Sequence, residues 1–578
     1  EVPDTPDLVE HASHALNMGT RLYVPEWGYE LLNSADMSVN PPNFNMGSGG
    51  LLTEAPKIVE TLPMLRLMTG STFNIEMDSQ AMASFVRVTG KDGLCYYPVE
   101  NRPWAFFDDF TKTINQPYSD IFAEGRQLMA YVSWYQHDKN PMWKELAEKK
   151  VKRLLEMTLE KDHTYYFRLL RGYTPWGDPK EGPVVPVGDH NVYDANKGMV
   201  GTPAACIVGW IPQACGMWYR LTQEKIFQDL SQGLAQYLKT YGEMIDSETG
   251  KYLADHETHI THSLLSNLSW ALTFNDQEMA QWVKRGYDYH LAVIDPDKTG
   301  ILIGQEGCLV ADTIGIGIML TQAGLGDYWA AVDRIIRNTF LDMQITSTDW
   351  IKGQPVNYEK QLQPGAYRFE DGAEMCVGIW HHRLGKHHYT DAAGCCNGNC
   401  TRMLYYIWDN IITSGEEGVR VNLLMNRASP WADIDSWLPY EGRVVIRMKS
   451  DQKKLKIRIA EWADKSAVLC AVNNEAMQLK WSGDYLDVGS VENGDKIVVE
   501  FPVEVKILKV KIPILLDMEG EQEKWDKKTH TVTFKGNTLL DIKPELECYP
   551  IGNHGPYRAE KAPMKKITRF VSSERFLF

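Results

Sequence analysis

Little in this chain of 578 residues points to a membrane or to nucleic acid. No apolar run reaches the ~20 residues that span a bilayer. Acidic residues outnumber basic ones, 76 to 60, for a net charge of -16. That balance argues against nucleic acid or an anionic membrane as the main partner. Cysteine is scarce, ten residues at uneven spacing, so the chain is not a disulfide scaffold and the compartment stays open. The glycine-rich N-M-G-S-G-G of 45–50 lacks the lysine and the serine or threonine of a phosphate loop. D-H-E-T-H-I-T-H (255–262) lacks the H-E-x-x-H order of a zinc protease helix. No signal peptide is visible, and E-V-P-D-T-P-D reads as a start after processing.

The length predicts two to four domains. Residues 1–415 read as helical. One helix is expected over 142–159, with Leu146, Val151, Leu154, Leu155 and Leu159 as its stripe. Others are expected at 203–222, 225–243, 261–273, 277–293, 309–323 and 327–346. Short extended snippets such as K-D-H-T-Y-Y-F (161–167) and E-T-G-K-Y-L-A-D (248–255) recur between helices. This weak repeat suggests helical hairpins in a closed ring, with loops and active site at one mouth. Aromatics are plentiful, with 18 Trp among them, which suits stacking on sugars as well as core packing.

The pattern changes after Gly415. L-K-I-R-I-A-E-W places Leu455, Ile457 and Ile459 on one strand face. E-N-G-D (492–495) reads as a hairpin turn, followed by Ile497, Val499 and Phe501 in phase, with Val503, Val505 and Ile507 continuing the pattern. Short, frequent strands predict an antiparallel β-sandwich over 416–545. Residues 546–578 form a basic tail expected to pack back on the body. The fold class is therefore α+β multidomain: an (α/α)6 helical barrel followed by an antiparallel β-sandwich.

The chemistry concentrates between Glu374 and Cys400, in E-M-C and G-C-C-N-G-N-C-T-R. Glu374, Cys376, Cys395 and Cys396 supply one oxygen and three sulfurs, a set that suits tetrahedral zinc. The doublet precedes an expected helix capped by Asn397 or Asn399, with Met403, Leu404, Ile407, Trp408 and Ile411 as its apolar face. A helix N-terminus favours thiolate. His381, His382, His387 and His388 are set aside as ligands and read as loop histidines. His256, His259 and His262 lie near a helix start, and His256 and His259 are candidate substrate contacts. His190, in D-H-N (189–191), is a candidate for the mouth.

These motifs, with the strand segments L-K-I-R-I-A-E-W and V-E-N-G-D-K-I-V-V-E-F-P, resemble the bacterial β-L-arabinofuranosidases of glycoside hydrolase family 127. The resemblance implies an (α/α)6 barrel with β-sandwich modules and a zinc held by one Glu and three Cys. It implies that Cys395 is the nucleophile of a retaining glycosidase and forms a thioglycosyl intermediate. In that family the acid/base Glu follows a Gly, about sixteen residues before the glutamate of Glu-x-Cys. Here Glu359, fifteen before Glu374, is the nearest carboxylate, and it follows Tyr; Glu306 and Glu370 are rivals, with Glu306 also a substrate contact. The run from Glu374 to the doublet is short for the family. The expected cofactor is zinc. The expected partner is a plant-derived glycan, with neither nucleic acid nor membrane. The expected location is periplasmic or secreted. Two alternatives stand beside this reading. One is a same-fold glycosidase acting on an unusual pectin sugar through a carboxylate pair, its metal purely structural. The other is a non-catalytic carbohydrate-binding protein.

Overall fold

A computed structural model describes residues 1–47, 49–105, 116–168, 171–173, 193–194, 198–201, 204–205, 209–254, 256–357, 362–384, 389–390, 394–519, 522–546 and 555–578. Among them, helices pair along the chain as α1 Leu8–Arg21, α2 Ala55–Thr69, α3 Glu76–Val86, α4 Ile121–Asp138, α5 Pro141–Met157 and α6 Ile211–Thr222. The series continues with α7 Lys225–Tyr241, α8 Glu257–Phe274, α9 Gln277–Ile294, α10 Gly307–Gln322, α11 Trp329–Ile335 and α12 Cys395–Asn410.

The even-numbered helices touch in sequence, α2 to α4, α6, α8, α10, α12 and back to α2. This closes the inner ring of an (α/α)6 barrel, with the odd-numbered helices outside. Composition follows position. α10 is buried on every face from Gly307 to Leu320, as a helix enclosed on all sides must be. Outer α5 buries Trp143, Ala147, Val151 and Leu154 and turns its lysines and glutamates largely outward. Leu146 and Leu155 are half-buried beside that stripe, and Leu159 already belongs to a strand. Side-chain caps start several helices, with Asp120 accepting from Phe122 N, Asn140 from Met142 N and Asp276 from Met279 N.

Several expectations change or are described only in part. The helix expected at 327–346 loosens into a wide turn at Ile336–Phe340. The stretch 203–222 is described only in part, with α6 beginning at Ile211. α12 starts at Cys395 with Gly394 as its cap residue, so Asn397 and Asn399 lie within its first turns rather than capping it. E-N-G-D is not a hairpin: Tyr485–Val491 and Lys496–Glu500 belong to different sheets, and the turn carries the chain from one to the other.

The two sheets have five and six strands, and they are antiparallel except where Val419–Val421 runs parallel to Leu455–Ile457. Leu455, Ile457, Ile459, Ile497 and Val499 are fully buried. The expected phase breaks beyond Phe501. Val505 and Ile507 are 60% and 67% exposed, because Val505–Glu519 and Gln522–Lys535 form a long hairpin that buries Val510 and Ile512 instead. The last residues lie against the barrel. Phe578 stacks on Tyr406 of α12 with ring centroids 3.7 Å apart, and Leu577 N donates to Gln136 of α4.

Candidate active site

An outer helix returns the chain between successive inner ones, so all six inner helices begin at the same mouth. Their first turns bring together Lys57 (α2), Phe122 (α4), Trp210 before α6, His256 and Thr258 (α8), Glu306 and Cys308 (α10), and Cys395 and Cys396 (α12). Six helix N-termini make this end electropositive and suited to anions.

Glu306, Cys308, Cys395 and Cys396 place one carboxylate oxygen and three sulfurs within 4.8 Å of one another, and this buried cluster can hold a metal ion. Cys308 and Cys396 Sγ are 3.6 Å apart, Cys395 and Cys396 Sγ 3.9 Å, and Cys395 Sγ lies 3.3 Å from Glu306 Oε1. A tetrahedral ion with metal–sulfur bonds of about 2.3 Å needs sulfurs ~3.8 Å apart, so these edges fit. They are far too long for a disulfide bond of about 2.05 Å.

Local sequence explains the convergence. Glu306 is extended at φ -70°, ψ 139°, and Cys308 is the second residue of α10, so both side chains meet at the mouth. A methyl group on the intervening Gly307 would stand 3.2 Å from Cys396 Cβ, Cys400 Sγ and the His381 carbonyl. Residues 382–384 run beside 304–307, with Gly307 N donating to His382 O and Gly304 N to Leu384 O. Gly398 lets α12 press against the backbone of Lys57. Asn399 Nδ2 donates to Cys308 Sγ at 3.1 Å, and Asn397 Oδ1 accepts from Trp380 N at 2.6 Å. Such supporting bonds fix ligand orientation.

Glu306 accepts from Thr258 Oγ1 at 2.8 Å, with His256 Nε2 at 3.4 Å and His382 Nε2 at 3.5 Å. Burial opposes its charge, yet the two histidines outweigh burial and hold Glu306 well below the usual carboxylate range. Lys57 is fully buried. That disfavours its charge, but Glu54 and the sulfurs of Cys395 and Cys308 keep its ammonium above the ordinary lysine value. Burial pushes the Cys308 and Cys396 thiols well up, while hydrogen bonding to Cys308 does the same for Cys395. Of the three cysteines only Cys395 is part-exposed. Beneath the site, buried Glu60 of α2 meets Arg126 of α4 at 2.7 Å and Arg402 of α12 at 2.8 Å.

The structure thus assembles an oxygen and three sulfurs, but not the four expected residues. Glu374 sits on a single helical turn, Gly372–Met375, with its side chain 44% exposed and 2.7 Å from Lys352 Nζ. Cys376, two residues on, points into the apolar core, where burial pushes its thiol up. Residues two apart on one helical turn face opposite ways, so this Glu-x-Cys does not converge. Glu306 is a member of the cluster and also lines the cleft at the mouth. The signal overlooked in the sequence was G-Q-E-G-C (304–308), a second Glu-x-Cys whose longer run to the doublet removes the short spacing. His382, set aside in the sequence, faces Glu306, while His381 is buried. Lys57 carried no signal.

His256 and His259 do lie together at the mouth, their rings 3.9 Å apart. Burial first, then His256 and His262, push the His259 pKa well below its ordinary value. His262 pairs with Asp312. Glu370 is exposed. His190, Glu359, His387 and His388 lie outside the described residues. Sixteen residues before Glu306 stands His290, a buried residue bonded to Thr313 Oγ1, so no carboxylate occupies the position where the resemblance would place the acid. A cleft of about 660 Å³ opens beside Glu306, lined by His256, Glu257, Thr258, the end of α9, most of the loop that follows it to Glu306, Arg383 and the hairpin residues Val510, Lys511, Pro513 and Lys527.

Three solved structures share this fold. A family 127 β-arabinofuranosidase covers 93% of this chain and 84% of its own, at 11% identity and a TM-score of 0.56. A family 127 β-L-arabinofuranosidase from Geobacillus stearothermophilus T6 covers 93% and 80%, at 12% identity and 0.51. A chain described as a glycoside hydrolase covers 90% and 84%, at 14% and 0.51. At such identities the likeness is one of fold. No family model matches the sequence. No curated protein matches it either.

Proposed function

We propose that this chain is a retaining glycoside hydrolase that releases a terminal L-arabinofuranose-like sugar from plant-derived glycans. The observation that carries the reading is the Glu306–Cys308–Cys395–Cys396 cluster, with its one part-exposed thiol at the mouth of a barrel shared with arabinofuranosidases. Zinc held by these four side chains would keep the sulfurs as thiolates at neutral pH and weaken the bond from Cys395 to a departing sugar.

The remaining chemistry belongs to the chain. Cys395 Sγ attacks the anomeric carbon as the glycosidic C–O bond breaks, and a carboxylic acid protonates the leaving oxygen. The same carboxylate then takes a proton from water, whose oxygen displaces sulfur and restores the configuration. Three thiolates and a carboxylate around a divalent ion leave two negative charges, which buried Lys57 and the six helix N-termini offset. Asn399 orients Cys308, and Thr258, His256 and His382 hold Glu306. For the acid we nominate Glu257, which lines the cleft and whose pKa burial raises. Glu359 remains the sequence-based nominee. We keep the periplasm or the extracellular space as the proposed site of action.

Cys395→Ala should retain fold and sugar binding and lose turnover of an aryl L-arabinofuranoside by ~10³-fold or more. Near wild-type turnover in this variant would end the thiolate mechanism and return attention to a carboxylate pair.

A further inference from the structure

The cleft beside Glu306 has two unlike walls. The barrel wall is acidic, with Glu257, Asp295, Asp297 and Glu306. Asp295 is occupied by the backbone N–H groups of Thr299 and Gly300, 2.7 and 3.0 Å away. The other wall is the long hairpin. Residues 505–514 and 526–535 hold Lys506, Lys509, Lys511, Lys527, Lys528 and Lys535 with Asp526 as the one acid, in a chain of net charge -16.

Register pairs Lys509 with Thr531, Lys511 with Thr529 and Pro513 with Lys527. Paired residues share a sheet face, so Lys509, Lys511 and Lys527 stand on one face beside two threonines. Lys511, Pro513 and Lys527 line the cleft itself. Among the described residues no carboxylate lies within ion-pair distance of Lys509, Lys511 or Lys527. Arg383 lines the same cleft from the barrel side.

We propose that the hairpin wall recognises an anionic group on the glycan, a uronate carboxylate or a sulfate ester, on a sugar beyond the bond that is cleaved. The lysines would hold the anion and the threonines neighbouring hydroxyls, which orients the glycan outward along the hairpin. The bland account is that edge lysines only guard a strand against aggregation. The proposal rests on the glycosidase reading for its sugar alone, since anion binding is measured without turnover.

The test is calorimetric binding of the full chain to an oligogalacturonide, a sulfated oligosaccharide and a neutral arabino-oligosaccharide of equal length. The expected result is that one anionic ligand binds about tenfold or more tighter than the neutral one at low salt. That preference should fall with added NaCl and vanish in Lys511→Ala/Lys527→Ala. It should persist in Lys506→Ala, on the opposite face. The ligand that binds distinguishes carboxylate from sulfate. Equal binding of all three ligands, or a preference untouched in the double variant, would overturn the proposal. An intact preference with no sugar released from any substrate would overturn the glycosidase reading instead.

Discussion

Gly398 decides how closely α12 approaches α2. A Cβ there would lie 2.3 Å from Lys57 Cβ and 2.8 Å from the Lys57 carbonyl carbon, whereas ordinary contact begins at 3.4 Å. The two helices would have to part by about 1 Å, an overpacking cost of roughly 1–3 kcal/mol. α12 carries Cys395 and Cys396 in its first turn, so two of the four donor atoms would move relative to Glu306 and Cys308. That shift exceeds the tolerance of about 0.2 Å in a metal–ligand distance. Gly398→Ala should therefore fold but bind zinc ~10–100-fold more weakly, the scale seen when a residue supporting a ligand is lost. Competition against a chromophoric chelator reads this directly. Gly415→Ala is the control, because a Cβ there meets nothing within 4 Å. Unchanged affinity in Gly398→Ala would refute the idea that this glycine sets the site's geometry.

Other consequences follow from the same contacts. Asn399→Leu removes the donor to Cys308 Sγ and should also weaken zinc binding by ~10–100-fold, measured by the same competition. Glu60→Gln leaves Arg126 and Arg402 buried without a counter-charge and should destabilise the barrel by about 3–5 kcal/mol in denaturant unfolding. His290 is buried, which lowers its pKa from 6.5 to about 3, so it stays neutral in the fold while the unfolded chain takes up a proton below pH 6.5. Its contribution is present above pH 6.5 and is lost as pH falls toward 3. The slope of stability against pH near pH 5 should be shallower in His290→Gln by up to about 1.4 kcal/mol per pH unit. An unchanged slope would refute the assignment.

The helical ring was legible because helices recur in pairs with short extended returns between them, a repeat written in the residue order. The sandwich strands were legible from alternation, but sheet membership was not. An Asn-Gly turn looks the same whether it closes a hairpin or passes from one sheet to another, and the parallel contact of Val419–Val421 leaves no local trace. The metal cluster was half legible. Cys395 and Cys396 stood out, yet two Glu-x-Cys pairs competed for the other half. Glu374–Cys376 is nearer in sequence but lies on a turn that divides its side chains between solvent and core. Glu306–Cys308 straddles a helix start and converges. Lys57 was hidden because α2 comes beside the helix of the doublet only through the close packing that Gly398 permits.

The most direct test is the zinc content of purified wild type, Cys308→Ala and Cys376→Ala by elemental analysis. The account predicts about one zinc per chain in the wild type and in Cys376→Ala, and loss of zinc in Cys308→Ala. Zinc retained in Cys308→Ala, and lost in Cys376→Ala, would contradict it.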